Sequence, residues 1–137
     1  MEIEDFFKQY QDAVWRKDKT AMINLYDEQA VVFDMWEKGY NADPSEWAKS
    51  IENWFNSLGE EKVNVEFERV NIHQSSDVGF ASALIRFQAI SPEGVVLRSM
   101  KNRITLGFAK LGNDWKVVHQ QTSAPIRSND LTAIFDI

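Results

Sequence analysis

Asp43-Pro44-Ser45-Glu46-Trp47-Ala48-Lys49-Ser50-Ile51-Glu52-Asn53-Trp54-Phe55-Asn56-Ser57-Leu58-Gly59, followed shortly by Val63-Asn64-Val65-Glu66-Phe67, is the stretch whose reading decides the fold. Asp43 is an N-cap, Pro44 stands at the first helical position where its missing N–H costs nothing, and Glu46 is an acid at the third. Trp47, Ile51, Trp54, Phe55 and Leu58 then recur at helical spacing on one face, and Gly59 ends the run. Past Gly59 the apolar period drops to two, which is the signature of a half-buried strand. A helix that hands over to a long alternating strand predicts a helical layer packed on a sheet.

Working upstream, Ile3, Phe6, Phe7, Tyr10 and Val14 make an apolar stripe with charged residues opposite, predicting a helix near residues 2–17. Lys17-Asp18-Lys19-Thr20 breaks it. A short helix near 19–26 follows, capped by Asp18, with Met22, Leu25 and Tyr26 inward. Ala30 to Trp36, with its Val31-Val32-Phe33 core, reads as a strand.

Working downstream, Val63, Val65 and Phe67 alternate, but Val70 and Ile72 fall on the opposite parity. A one-residue bulge near Glu68 reconciles them and lets the sheet curve. Strands from about Val78 to Ala89 and Val96 to Lys110 flank the turn signal Ser91-Pro92-Glu93-Gly94. Leu111-Gly112-Asn113-Asp114 makes another turn before a last strand from Trp115 to Gln121. Helices first and antiparallel strands afterwards argue for an α+β domain with its helices on one face of the sheet.

The chain has 137 residues, 44% of them hydrophobic and 12% aromatic, enough to build a core without staples. Its formal net charge is −6 with Lys and Arg scattered, which argues against nucleic acid as a partner. There is no cysteine, so disulfides and thiolate metal sites are excluded and a reducing compartment fits. The acidic start and the absence of a long apolar run leave no signal peptide or membrane span to be read, so a cytoplasmic location is expected. No cofactor and no metal are expected: His73 and His119 lie far apart, and there is no helical His-Glu-x-x-His. A Gly-rich phosphate loop, a nucleophile elbow and a cysteine nucleophile are likewise missing.

Three stretches carry a family pattern. They are Trp15-Arg16-Lys17-Asp18-Lys19-Thr20-Ala21 through Leu25-Tyr26 into Ala30-Val31-Val32-Phe33-Asp34, the pair of long strands, and Gly112-Asn113-Asp114-Trp115-Lys116-Val117-Val118-His119 followed by Ser123-Ala124-Pro125. In order and spacing the chain resembles the SnoaL-like branch of the nuclear transport factor 2-like superfamily. The resemblance implies a single cone-shaped domain over residues 1–137, with a curved antiparallel sheet wrapped around three helices and one central pocket. That superfamily hosts isomerases, cyclases, dehydratases and non-catalytic domains alike.

The last strands are also similar to the association domain of calcium/calmodulin-dependent protein kinase II, in which one strand carries Ile-Arg, the next Thr-Arg-Val-Trp, and the last ends Val-His-Phe-His-Arg-Ser-Gly. Ile85-Arg86 matches the first element, Arg103-Ile104 the second, and His119 the first histidine of the third. The second histidine is Gln121 here and the third arginine is Thr122. Three arginines line the pocket of that family and can hold a carboxylate, so the resemblance implies an anion site around Arg86 and Arg103.

The residues themselves allow that reading and a plainer one. Arginine within apolar strands is costly unless paired, and its fork suits a carboxylate. Pairing Arg86 opposite Arg103, with Ile85 opposite Ile104 and Ala83 opposite Leu106, puts both arginines on one side and extends the loop to about Ser99. The plainer reading pairs each arginine with an internal acid such as Asp34 or Glu66. By alternation His119 shares the pocket wall with Trp115 and Val117, as a candidate acid–base group or as a hydrogen-bonded core residue. Asp34 ends the first strand at the expected pocket mouth. Tyr26, Tyr40 and Asp34 supply the residue types of a ketosteroid-isomerase-like site.

Three functions follow as expectations. The first is a pocket that binds a small organic acid or hydrophobic molecule through Arg86, Arg103, His119, Trp115 and Gln121. The second is an isomerase, cyclase or dehydratase with Asp34 or His119 as base. The third is a dimeric assembly module with a filled pocket, paired through a sheet face of Ile85, Phe87, Ile104, Leu106 and Phe108.

Overall fold

The computed structural model describes residues 1–41 and 43–137. Its elements run α1 (Asp5–Arg16), α2 (Lys19–Ile23), β1 (Tyr26–Phe33), α3 (Pro44–Ser57), β2 (Lys62–Gln74), β3 (Val78–Ile90), β4 (Val96–Leu111) and β5 (Asp114–Ser123). The local signals hold where expected. Asp43 accepts a hydrogen bond from the Ser45 N–H at 2.9 Å, and Asp18 accepts one from Ala21 at 3.0 Å. Lys17, left-handed at φ 54°, closes α1, and Gly59 at φ 58° turns the chain after α3. The first strand starts earlier than its valine run, at Tyr26, with a register shift before Val31.

The sheet has the order β1-β5-β4-β3-β2 and is antiparallel except for β1, which runs parallel to β5. The expected bulge is present: the β2–β3 register shifts between Glu68 and Asn71, and Arg69 is left-handed at φ 54°. Ile72 thereby returns to the covered side opposite Ala81, while Val70 stays exposed. A second bulge lies in β5, where Gly107 pairs with His119 and Phe108 with Val117, leaving Val118 extra. Each extra residue bends its strand.

One side of the sheet packs on the helices. Ala81, Ala83 and Ile85 of β3, Ile104, Leu106 and Phe108 of β4, and Trp115 and Val117 of β5 are buried there. Phe6 of α1 meets Phe108 edge-on, with ring centroids 5.6 Å apart. This corrects the expected dimer face. Ile85, Ile104, Leu106 and Phe108 are core residues, each at most 1% exposed, and Phe87 meets Trp54 of α3. The covered face goes to the apolar parity, because the opposite assignment would expose all five side chains to water.

The β3–β4 register is also corrected. Arg86 pairs with Lys101 and Leu84 with Arg103, while Ala83 and Ala81 face Ile104 and Leu106. The loop closes early, with Ser91 N–H donating to Val95 and Gly94 N–H to Ser91, both at 2.9 Å, so pairing resumes at Val96 instead of Ser99. A two-residue slip changes partners without turning any side chain over.

Candidate functional site

Beyond the packed core, between α3 and the far halves of the strands, lies a cavity of about 500 Å³. It sits where the inward parity of the sheet stops being apolar. On β4 the inward series Phe108, Leu106, Ile104 continues into Asn102 and Met100. On β5 it continues from Trp115 and Val117, across the bulge, into Gln120 and Thr122. Trp47 and Trp54 of α3, Tyr10 of α1 and Phe87 of β3 supply aromatic walls. Asp34, just past the end of β1, and Trp36 complete the lining on that side, and Trp36 stacks on Phe135 of the returning C-terminal segment at 5.6 Å.

Asn102 is the cavity group least explained by folding. It is 2% exposed, and among the described residues nothing bonds its amide oxygen. Leaving such a group unpaired costs about 1–3 kcal/mol. By contrast Gln120 accepts from the Tyr26 hydroxyl, and Thr122 donates to Asp34 at 3.4 Å while accepting from the Met35 N–H at 3.3 Å. Asp34 also accepts from the Trp36 N–H at 3.4 Å. Burial pushes the Tyr10 and Tyr26 phenols well above the ordinary tyrosine range; for Tyr10 the Asp34 charge adds to it. Both phenols stay neutral in the folded chain.

Asp34 thus lines the cavity, as do Trp36, Trp47 and Trp54. The other candidates lie elsewhere. Arg86 and Arg103 share a side of the sheet, but it is the side away from the helices. There Glu68 sits 2.7 Å from Lys101 and 3.8 Å from Arg86, and Arg103 donates to the Ser123 hydroxyl at 3.1 Å. The Lys101 hydrogen bond holds the Glu68 carboxyl below its usual range. An internal acid therefore answers the opposed Arg86 and Lys101, and it is Glu68 instead of Asp34 or Glu66. His119 meets Phe33 edge-on at 5.1 Å on that outer side, where Gly107 opposite leaves it room. Gln121 is exposed beside it, and Trp115 is core. The cause is the extra Val118, which reverses the parity that had placed His119 with Trp115 and Val117. Of the cavity groups, Asn102 was open to detection as a polar residue on the apolar parity of β4; Gln120 carried no signal until the bulge was known.

Arg98 lines the cavity at β4, but its guanidinium is paired to Glu61 at 2.6 and 3.4 Å. Among the described residues no cluster of three His, Cys, Asp or Glu is placed to hold a metal ion, and no helix is long and apolar enough to cross a membrane.

Three helices on a five-stranded, mostly antiparallel sheet define the nuclear transport factor 2-like fold. The SnoaL-like domain profile matches residues 3–127, and the chain belongs to that family. Among solved structures it is similar to a nuclear transport factor 2-like protein of unknown function from Pseudomonas putida KT2440, at TM-score 0.85 and 22% identity over 98% of this chain and 92% of that one. A chain from Xanthomonas campestris named for the calcium/calmodulin-dependent protein kinase II association domain matches at TM-score 0.74 and 14% identity, over 90% and 85%. A superfamily protein from Salmonella enterica matches at 0.71 and 18%, over 96% and 94%. No curated protein matches the chain.

Proposed function

We propose that this SnoaL-like domain binds a small, largely apolar molecule in the cavity beneath α3. The observation that carries the reading is an aromatic-lined space of about 500 Å³ with only a few polar side chains, Asp34 and Asn102 among them, on its wall. Pockets of this size with few convergent polar groups are the usual form of small-molecule sites. A cavity of this volume does not suit an assembly module with a filled pocket. Because Arg86 and Arg103 face away from it, the ligand would be recognised by Asp34, Asn102 and the tryptophans.

The test is a thermal-shift screen of small aromatic and alicyclic compounds on the wild-type chain and on Ser50→Phe, which projects a ring from α3 into the space. Hits should raise the melting temperature of the wild type and leave Ser50→Phe unmoved, since a ligand stabilises only the form that binds it. Equal shifts in both chains, or no hit at millimolar concentration, would overturn the reading.

A second reading is favoured by the position of Asp34. A carboxylate facing an apolar cavity beside neutral Tyr10 has the residue types for proton abstraction next to a carbonyl. Turnover of activated ketones, lost by orders of magnitude in Asp34→Asn, is the expected result for it. Absence of turnover across such a panel would leave the binding reading alone.

A further inference from the structure

Resting on the reading of the cavity as a binding site, we infer that its ligand is an organic ammonium ion, a protonated amine on an apolar or aromatic body, held by Asp34. Charge points to it first. Asp34 and Arg98 are the charged side chains of the lining, and Arg98 is neutralised by Glu61, whereas no cation pairs with Asp34 among the described residues. The Asp34 charge is felt within the cavity, since it helps to keep the Tyr10 phenol protonated. An anion would meet an uncompensated carboxylate there; a cation would relieve it.

Hydrogen-bonding capacity points the same way. The Asp34 carboxylate has more lone pairs than its partners Thr122 and Trp36 occupy. Ser50 donates to the Trp47 carbonyl and Thr122 to Asp34, so neither of these hydroxyl protons competes for a ligand. A group bringing several N–H donors completes the hydrogen bonding of that carboxylate. Trp36, Trp47 and Trp54 also line the space, and an indole face turned to it would favour a cation over a neutral group of the same shape. The net charge of −6 draws cations to the molecule from further out.

Phenethylammonium, phenethyl alcohol and hydrocinnamate are similar in size and differ in charge, so titration calorimetry of the three on the wild-type chain isolates the effect. The ammonium ion should bind roughly tenfold or more tighter than the alcohol, with the carboxylate weakest, as charge-assisted hydrogen bonds and cation–π contacts require. Asp34→Asn should cost the ammonium ion about tenfold while moving the alcohol by no more than about twofold. An alcohol or carboxylate that binds as tightly as the ammonium ion overturns the inference. If the alcohol binds equally well and Ser50→Phe blocks it, the cavity reading stands and only the ammonium assignment fails. If none of the three binds, the ammonium assignment fails, and the wider thermal-shift screen decides the cavity reading by itself. The wild-type series decides the matter whether or not Asp34→Asn folds.

Discussion

Replacing Asn102 with leucine should make the folded chain more stable and the cavity useless. The two side chains share their branching and heavy-atom count, and the cavity beside them leaves room for the bulkier methyls of leucine. What changes is the amide. Its oxygen is removed from water on folding and gets no protein partner in return, a penalty of about 1–3 kcal/mol that leucine does not carry. For a chain of this length a gain of that size corresponds to a rise in melting temperature of roughly 3–10 °C. Urea unfolding with linear extrapolation measures it, and an unchanged slope would show that the gain belongs to stability and not to a change in the denatured state. Asn102→Ala controls for packing. At a satisfied buried site it would cost about 1–3 kcal/mol, and here it should be close to neutral. If both variants lose more than about 1 kcal/mol, the amide is bonded in the native chain and the reasoning that makes it a ligand group fails.

Gly79→Ala should destabilise by about 1–3 kcal/mol in the same urea assay, because an added Cβ would lie 2.8 Å from Ile3 Cδ1 and 2.9 Å from both Gln74 Cβ and the His73 carbonyl oxygen; a neutral result would mean that this end of the sheet yields easily. The buried tyrosines predict an alkaline limit. Their folded pKa values are raised above the ordinary value of 10, so the stability they contribute is whole below pH 10 and falls as pH climbs beyond it. Unfolding midpoints should drop above pH 10, less steeply in Tyr10→Phe. Tyrosinate absorbance from Tyr10 or Tyr26 in a still-folded chain would contradict this.

What could be read from the residues divides along physical lines. The third helix was legible because Asp43, Pro44 and Gly59 act within a few residues of themselves. So was the bulge near Glu68, since Val70 and Ile72 break the parity openly. Which face of the β3–β4 pair turns inward was not, because Arg86 and Arg103 sit among apolar neighbours that suit a pocket wall as readily as a core. The decision depends on the helices, which cover one side and take the apolar parity with them. His119 was misplaced for a subtler reason. Val118 is as plausible in a regular strand as in a bulge, and nothing local shows that it has no partner across the ladder. Asp34 was placed at the cavity because a strand end is fixed by position along the chain, independently of parity.

The extra residue at Val118 has a further consequence for how the family can change. Shortening β5 by that residue would restore one-to-one pairing with β4 while Trp115, Val117, Gln120 and Thr122 all kept their inward orientation. The bend would go, and β1, which pairs with Val117 and His119 on either side of it, would adjust its own register shift. The chemistry of the wall and the width of the opening are therefore under separate control at this position, and a single-codon deletion could resize the container without rewriting what lines it.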